Sequence, residues 1–217
     1  MVNHLVEIPL DNLVLEGDLV IPDRSQGIVL FAHGSGSSRH SPRNQYVARM
    51  LSRAGLSTLL LDLLTPNEES TDSLTRHLRF DIPLLGHRLT AAIDWLAKNP
   101  KTANMRMGLF GASTGAAASL VAAAARPSRV NAIVSRSGRP DLVRATLPKV
   151  NAPTLLIVGG YDDQVIRLNR QALDNLKTIK ILEIVPGASH LFEEAGSLNH
   201  VATLARDWFS RFLTTRG

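Results

Sequence analysis

The chain has no cysteine. That absence removes disulfides, thiolate metal sites and a cysteine nucleophile together, and it fits a cytoplasmic enzyme. Aromatic residues make up only 5% of the 217 residues. No basic cluster with stacking rings and no nucleic-acid-binding motif occurs, so nucleic acid is not expected as a partner. Long hydrophobic runs are also missing. The longest small-apolar run, Ala116 to Ala125, is broken by Ser119 and is about half of what a bilayer requires, so no membrane span is expected. The N-terminus, MVNHLVEIPL, has neither a basic n-region nor a continuous apolar h-region, and a secretory signal is not expected. The net charge of +5 comes mainly from arginine, which far outnumbers lysine. The arginines read as spread over solvated faces, with an anionic small substrate as the alternative.

What is present is ordinary globular composition, 44% hydrophobic and 20% charged, enough for one well-buried core. No repeat, linker or low-complexity tract divides residues 1–217, so a single domain is expected. An antiparallel hairpin is predicted from Leu5–Ile8 and Leu13–Ile21, turning around Pro9–Asn12. Thereafter short apolar runs alternate with helical ones, the pattern of a mostly parallel, doubly wound α/β sheet. Strands are predicted at Gly27–Ala32, Ser57–Leu64, Met105–Gly111, Val130–Val134, Thr154–Val158 and Ile179–Val185. Helices are predicted at Pro42–Ala54, Asp81–Lys98, Ser113–Ala125, Pro140–Leu147, Ile166–Leu176 and Phe192–Leu213. Thr65–Arg76 is polar and reads as a loop. The total is about eight strands and six helices.

Gly111-Ala112-Ser113-Thr114-Gly115 matches G-x-S-x-G. Such a match arises by chance in about one chain in fifteen of this size, so its context must carry the argument. An apolar strand runs directly into it and an alanine-rich helix directly out, which is the strand–turn–helix setting of a nucleophile elbow. Ser113 then stands at the carboxyl edge of the sheet, with the Thr114 N–H at a helix N-terminus. A serine hydroxyl needs a histidine base oriented by a carboxylate. Strand Thr154–Val158 runs into Asp162-Asp163, and strand Ile179–Val185 into His190. Acid and base thus follow the serine in the order Ser, acid, His, each just past a strand's carboxyl end. Ser35, in the loop His33-Gly34-Ser35-Gly36, is the candidate for the second oxyanion N–H beside that of Thr114. His33 reads as a loop anchor, and His40 is the other histidine near this loop. The loop lacks the Lys-Ser/Thr ending of a P-loop and the full dinucleotide fingerprint.

The motifs GIVLFAHGSGSS, GASTG, GGYDDQV and PGASHLF together resemble the α/β-hydrolase superfamily, and within it the small, capless dienelactone hydrolase-like proteins. The resemblance covers nearly the whole chain. It implies Ser113 as nucleophile, Asp162 as acid, His190 as base, and oxyanion donors at Ser35 and Thr114. Asp162 is chosen over Asp163 because the family's acid stands three residues before an apolar position, here Val165. True dienelactone hydrolases use a cysteine nucleophile and carry a glutamate where this chain has Gly34, so a serine esterase is the expected activity. The stretch FAHGSGSSRHSPRN also resembles proteins in which such a hydrolase is fused to a phosphoribosyltransferase, but a domain of that kind is not expected within these residues.

Only a short helix fits between Ser137 and Pro153, so no lid domain is expected, and an open site suits small or extended esters. Position past the strand ends makes Leu63, Leu64, Leu191, Phe192, Arg136 and Arg139 the expected substrate-binding walls. Either arginine is suited to hold a substrate carboxylate through paired hydrogen bonds. The expected reaction is hydrolysis of a small carboxylic ester, lactone or thioester through an acyl-enzyme, with no metal or cofactor. Acyl transfer with the same triad and non-catalytic ligand binding are the alternatives, and a homodimer is left open.

Overall fold

Residues 3–214 are described by a computed structural model; residues 1–2 and 215–217 of the expected domain lie outside the described residues. The apolar runs form β1 (Asn3–Leu10), β2 (Leu13–Val20), β3 (Gly27–Ala32), β4 (Ser57–Leu61), β5 (Arg106–Ala112), β6 (Val130–Arg136), β7 (Thr154–Gly159) and β8 (Lys180–Val185). They make one sheet in the order β1-β2-β4-β3-β5-β6-β7-β8. The β1–β2 and β2–β4 pairings are antiparallel, and every pairing from β4 to β8 is parallel. The hairpin turn is tighter than expected. Pro9 and Leu10 still pair with Val14 and Leu13, which a proline can do because β1 is an edge strand.

Six helices pack on the sheet: α1 (Pro42–Arg53), α2 (Pro66–Thr75), α3 (Ile82–Lys98), α4 (Thr114–Ala125), α5 (Asp163–Asn175) and α6 (Ser197–Leu213). Along β3, Ile28, Leu30 and Ala32 join a core with residues of α3 and α4. Val29 and Phe31 join the opposite core with residues of α1 and α6. The strand is apolar at every position because both its faces are buried.

The helix count agrees with expectation, but one helix is exchanged for another. The segment expected as a loop is α2, whose start carries a capping box: Thr65 Oγ1 accepts from Glu68 N–H and Glu68 Oε2 from Thr65 N–H. Its attachments are polar, with Glu68 bound to buried Arg88 and buried Asp72 bound to Arg79, so it shows no apolar stripe. The helix expected at Pro140–Leu147 is instead two 3₁₀ turns, Pro140–Val143 and Leu147–Lys149. Those turns are all that lies between β6 and β7, where no lid is inserted. The last helix starts at Ser197, because Phe192 and Gly196 hold φ of 55° and 80°, outside the helical range.

Candidate active site

β5 ends at Ala112 and α4 begins at Thr114, leaving Ser113 alone in the turn with φ 51° and ψ −119°. A non-glycine residue held in so sparse a region is strained, and such strain is characteristic of functional turns. The turn closes only around minimal neighbours. A Cβ on Gly111 would lie 2.4 Å from Ala116 Cα, and one on Gly115 would lie 2.3 Å from the Ala32 carbonyl oxygen. Ser113 N–H donates to the Arg136 carbonyl at 3.1 Å, tying the turn to the end of β6.

The loop after β3 is pinned at both ends. His33 Nδ1–H donates to the Gly34 carbonyl at 2.9 Å, and His33 Nε2 accepts from Leu63 N–H at 3.0 Å. Both ring nitrogens are occupied, and burial holds this imidazole below the usual histidine range. His33 is an anchor. At the far end Arg39 binds Asp62 past β4 and Glu16 on β2. Between them the chain presses on the serine turn: a Cβ on Gly34 would stand 3.1 Å from Ser113 Cβ. Ser35 and Ser113 therefore line one cavity, while Thr114 opens the N-terminus of α4.

Two later loops supply the acid and the imidazole. Gly159, at the end of β7, is so close to the loop after β8 that a Cβ there would lie 2.4 Å from the Ser189 carbonyl oxygen. Gly160 N–H donates to the Val185 carbonyl and Tyr161 N–H to that of Ala188. This contact brings His190 Nδ1–H within 2.5 Å of Asp162 Oδ2. Asp162 Oδ1 also accepts from Val165 N–H as the N-cap of α5. Ser137 Oγ–H donates to the His190 carbonyl at 2.9 Å and fixes the loop from β6. Ser113 and His190 share a cavity of about 180 Å³. No hydrogen bond joins their side chains among the described residues; in unliganded sites such bonds are often long.

This is the lidless sheet, elbow and acid–imidazole pair of an α/β-hydrolase, and similarity to known proteins agrees. The model of the dienelactone hydrolase family matches residues 15–215. The chain belongs to the dienelactone hydrolase family. It superimposes on the dienelactone hydrolase of Anabaena variabilis with a TM-score of 0.97 at 59% identity, covering 98% of each chain. A Xanthomonas campestris α/β serine hydrolase without a lid, 19% identical, superimposes with a TM-score of 0.76 over 99% of this chain and 97% of that one, a likeness of fold. A Mycobacterium tuberculosis protein, provisionally named a phosphoribosyl transferase, is 53% identical over 204 residues. That match takes in 94% of this chain and 45% of the relative, so the chain spans about half the length of the curated relatives it matches.

Within this dienelactone hydrolase fold the expected walls divide. Arg136 and Leu191 line the cavity with Ser113. Arg139 does not: both its Nε and Nη2 donate to Asp141, a partner two residues away. Leu63 and Leu64 are buried and line, with Ser35 and Thr114, a neighbouring cleft that shares Gly34, Ser35 and Ser37 with the cavity but not the cavity itself. Phe192, 2% exposed, is drawn into the core between the sheet and α6. His40 is exposed and outside the cavity. Asp163 is the exposed first residue of α5, and Asp162 caps that helix. The wall that sequence reasoning missed is the start of α1, where Ser41 and Arg43 line the cavity. No local motif marks them, because only packing of α1 on β4 and α6 brings them to the cavity that Arg136 also lines. Among the described residues no helix is long and apolar enough to cross a membrane.

Proposed function

We propose that this dienelactone hydrolase family member is a serine hydrolase that cleaves carboxylic esters, lactones or thioesters of small substrates through an acyl-enzyme. The observation that carries the reading is the 2.5 Å contact of His190 Nδ1–H with Asp162 Oδ2, on a loop whose imidazole shares one cavity with strained Ser113. Asp162 orients the ring so that its free Nε2 is the proton acceptor. Nε2 takes the Ser113 proton as Oγ attacks the ester carbonyl, and the resulting oxyanion is held by the N–H groups of Ser35 and Thr114. The protonated imidazole then gives its proton to the leaving alkoxide or thiolate. Water, deprotonated by the same ring, releases the acid and restores the serine. The phosphoribosyl transferase name of the mycobacterial relatives we assign to the portion of those chains lying outside the match, because the family model covers residues 15–215 of this chain and the match takes in 94% of it but only 45% of the relative.

Ser113→Ala is expected to abolish p-nitrophenyl acetate and butyrate turnover and to prevent covalent labelling by a fluorophosphonate, with the circular dichroism spectrum unchanged. Labelling of another residue, or near-parental rates in the variant, would refute the assignment.

A further inference from the structure

Two arginines are buried in the described structure, and they are treated differently. Arg88 donates to Glu68 and to the Leu63 carbonyl. Arg136, 6% exposed, makes no hydrogen bond and no ion pair through its side chain among the described residues, and its Nη1 is buried with no partner. A buried cation left unpaired costs several kcal/mol, on the order of the loss from breaking a buried ion pair. A fold keeps such a group when a ligand pairs it.

Its surroundings select the ligand's sign. On β6, Ala132 and Val134 face the core with α1 and α6. Alternation along the strand therefore sends Arg136 to the same side, at the sheet edge where the cavity opens. It sits in register with Ala112, the residue before Ser113. Arg43 lines the same cavity from the first turn of α1. Its Nε is buried without a partner, and Nη1 reaches only Glu193, at 3.7 Å and largely exposed. The 12-residue helix α1 is capped by Ser41 Oγ, which accepts from Asn44 N–H, and carries no acidic residue in its first turn, so no carboxylate offsets its N-terminal partial positive charge beside the cavity.

We propose that Arg136, Arg43 and the start of α1 form an anion subsite beside Ser113, selecting esters that carry a carboxylate or a phosphate-type oxyanion a few bonds from the cleaved carbonyl. The identification of Ser113 as nucleophile rests on the proposed hydrolase reading; the subsite itself does not require turnover. The two guanidinium groups bind the anion, and the ester carbonyl then falls at Ser113. A neutral ester of the same shape leaves Arg136 buried and unpaired, and it loses affinity for that reason.

The test is equilibrium binding to Ser113→Ala by calorimetry, which separates recognition from chemistry. Three probes are compared: monomethyl glutarate, the analogue with phosphonate in place of the carboxylate, and neutral dimethyl glutarate. At least one anionic probe is expected to bind about 10- to 100-fold more tightly than the diester. Arg136→Met in the same background should remove most of that difference, and Arg136→Lys should keep part of it. The stronger of the two anionic probes identifies the oxyanion class. Equal affinity of all three probes, or an anion preference that survives Arg136→Met, overturns the subsite. Either result leaves the hydrolase assignment standing, since that is judged by fluorophosphonate labelling of the intact Ser113.

Discussion

At residue scale, the pair Asp162–Asp163 shows how one position separates two roles. Asp162 accepts from both His190 and the α5 N-terminus, whereas Asp163 is exposed at the first helical position. Asparagine caps a helix as well as aspartate does, so Asp162→Asn should keep the fold and lose on the order of 10⁴ in kcat through the wrong imidazole tautomer. Asp163→Asn should stay near the parent rate in the same steady-state assay. The reverse pattern would exchange the two assignments. Arg136 supports a second expectation. Burial first, and then the neighbouring Arg43, lower its pKa to about 10, below its unfolded value, so it is charged at neutral pH but held at a cost. The groups facing it are Arg43 from α1, paired weakly with Glu193, and His190 across the cavity. Tighter binding of an anionic probe is therefore present at neutral pH and declines as pH rises through about 10 in calorimetric titrations. The cost of the charge also predicts that Arg136→Met raises stability in urea by about 1 kcal/mol or more. A destabilised variant would mean that Arg136 packs rather than waits for a ligand.

At the scale of elements, most strands and helices were legible because hydrophobic burial is periodic. β3 is apolar throughout since two helical layers cover it, and α1 opens on Ser41-Pro42 and closes before Gly55 as caps require. α2 was not legible from periodicity, because its attachments are the ion pairs Glu68–Arg88 and Asp72–Arg79. Its signal was the box Thr65-x-x-Glu68. Removing the cap should confirm the account. Thr65→Ala is expected to cost about 1 kcal/mol in chemical denaturation, with little effect on ester turnover, since Thr65 lies outside the Ser113 cavity. A loss well below that would show the box to be incidental. The expected Pro140–Leu147 helix failed for a different reason: that stretch is held in two 3₁₀ turns, with Arg139 tied to Asp141 at its start.

At the scale of the whole molecule, the candidate site depends on a contact between two loops that are distant in sequence. Gly159 presses against the Ala188 and Ser189 carbonyls, so Gly159→Ala should push the acid and histidine loops apart. We expect a loss of about 1–3 kcal/mol in stability, together with a fall in turnover larger than any change in fluorescence-monitored folding would explain. Unchanged stability and rate would show that the contact yields freely. The sequence by itself determined the fold class, the order of the candidate serine, acid and histidine along the chain, and the positions of the glycines around Ser113. Those features are written in local pattern: apolar runs, helix caps, and residues small enough for a tight turn. Only the tertiary structure decided which of the expected walls face the serine. Arg136 and Arg139 lie three residues apart and look equivalent in sequence, yet one ends a strand facing the cavity and the other finds Asp141. Likewise Arg43 enters the site only because packing of α1 on β4 and α6 brings its start to the Ser113 cavity. Side-chain direction and distant neighbours are set by packing, and packing is not a property of any short stretch of chain.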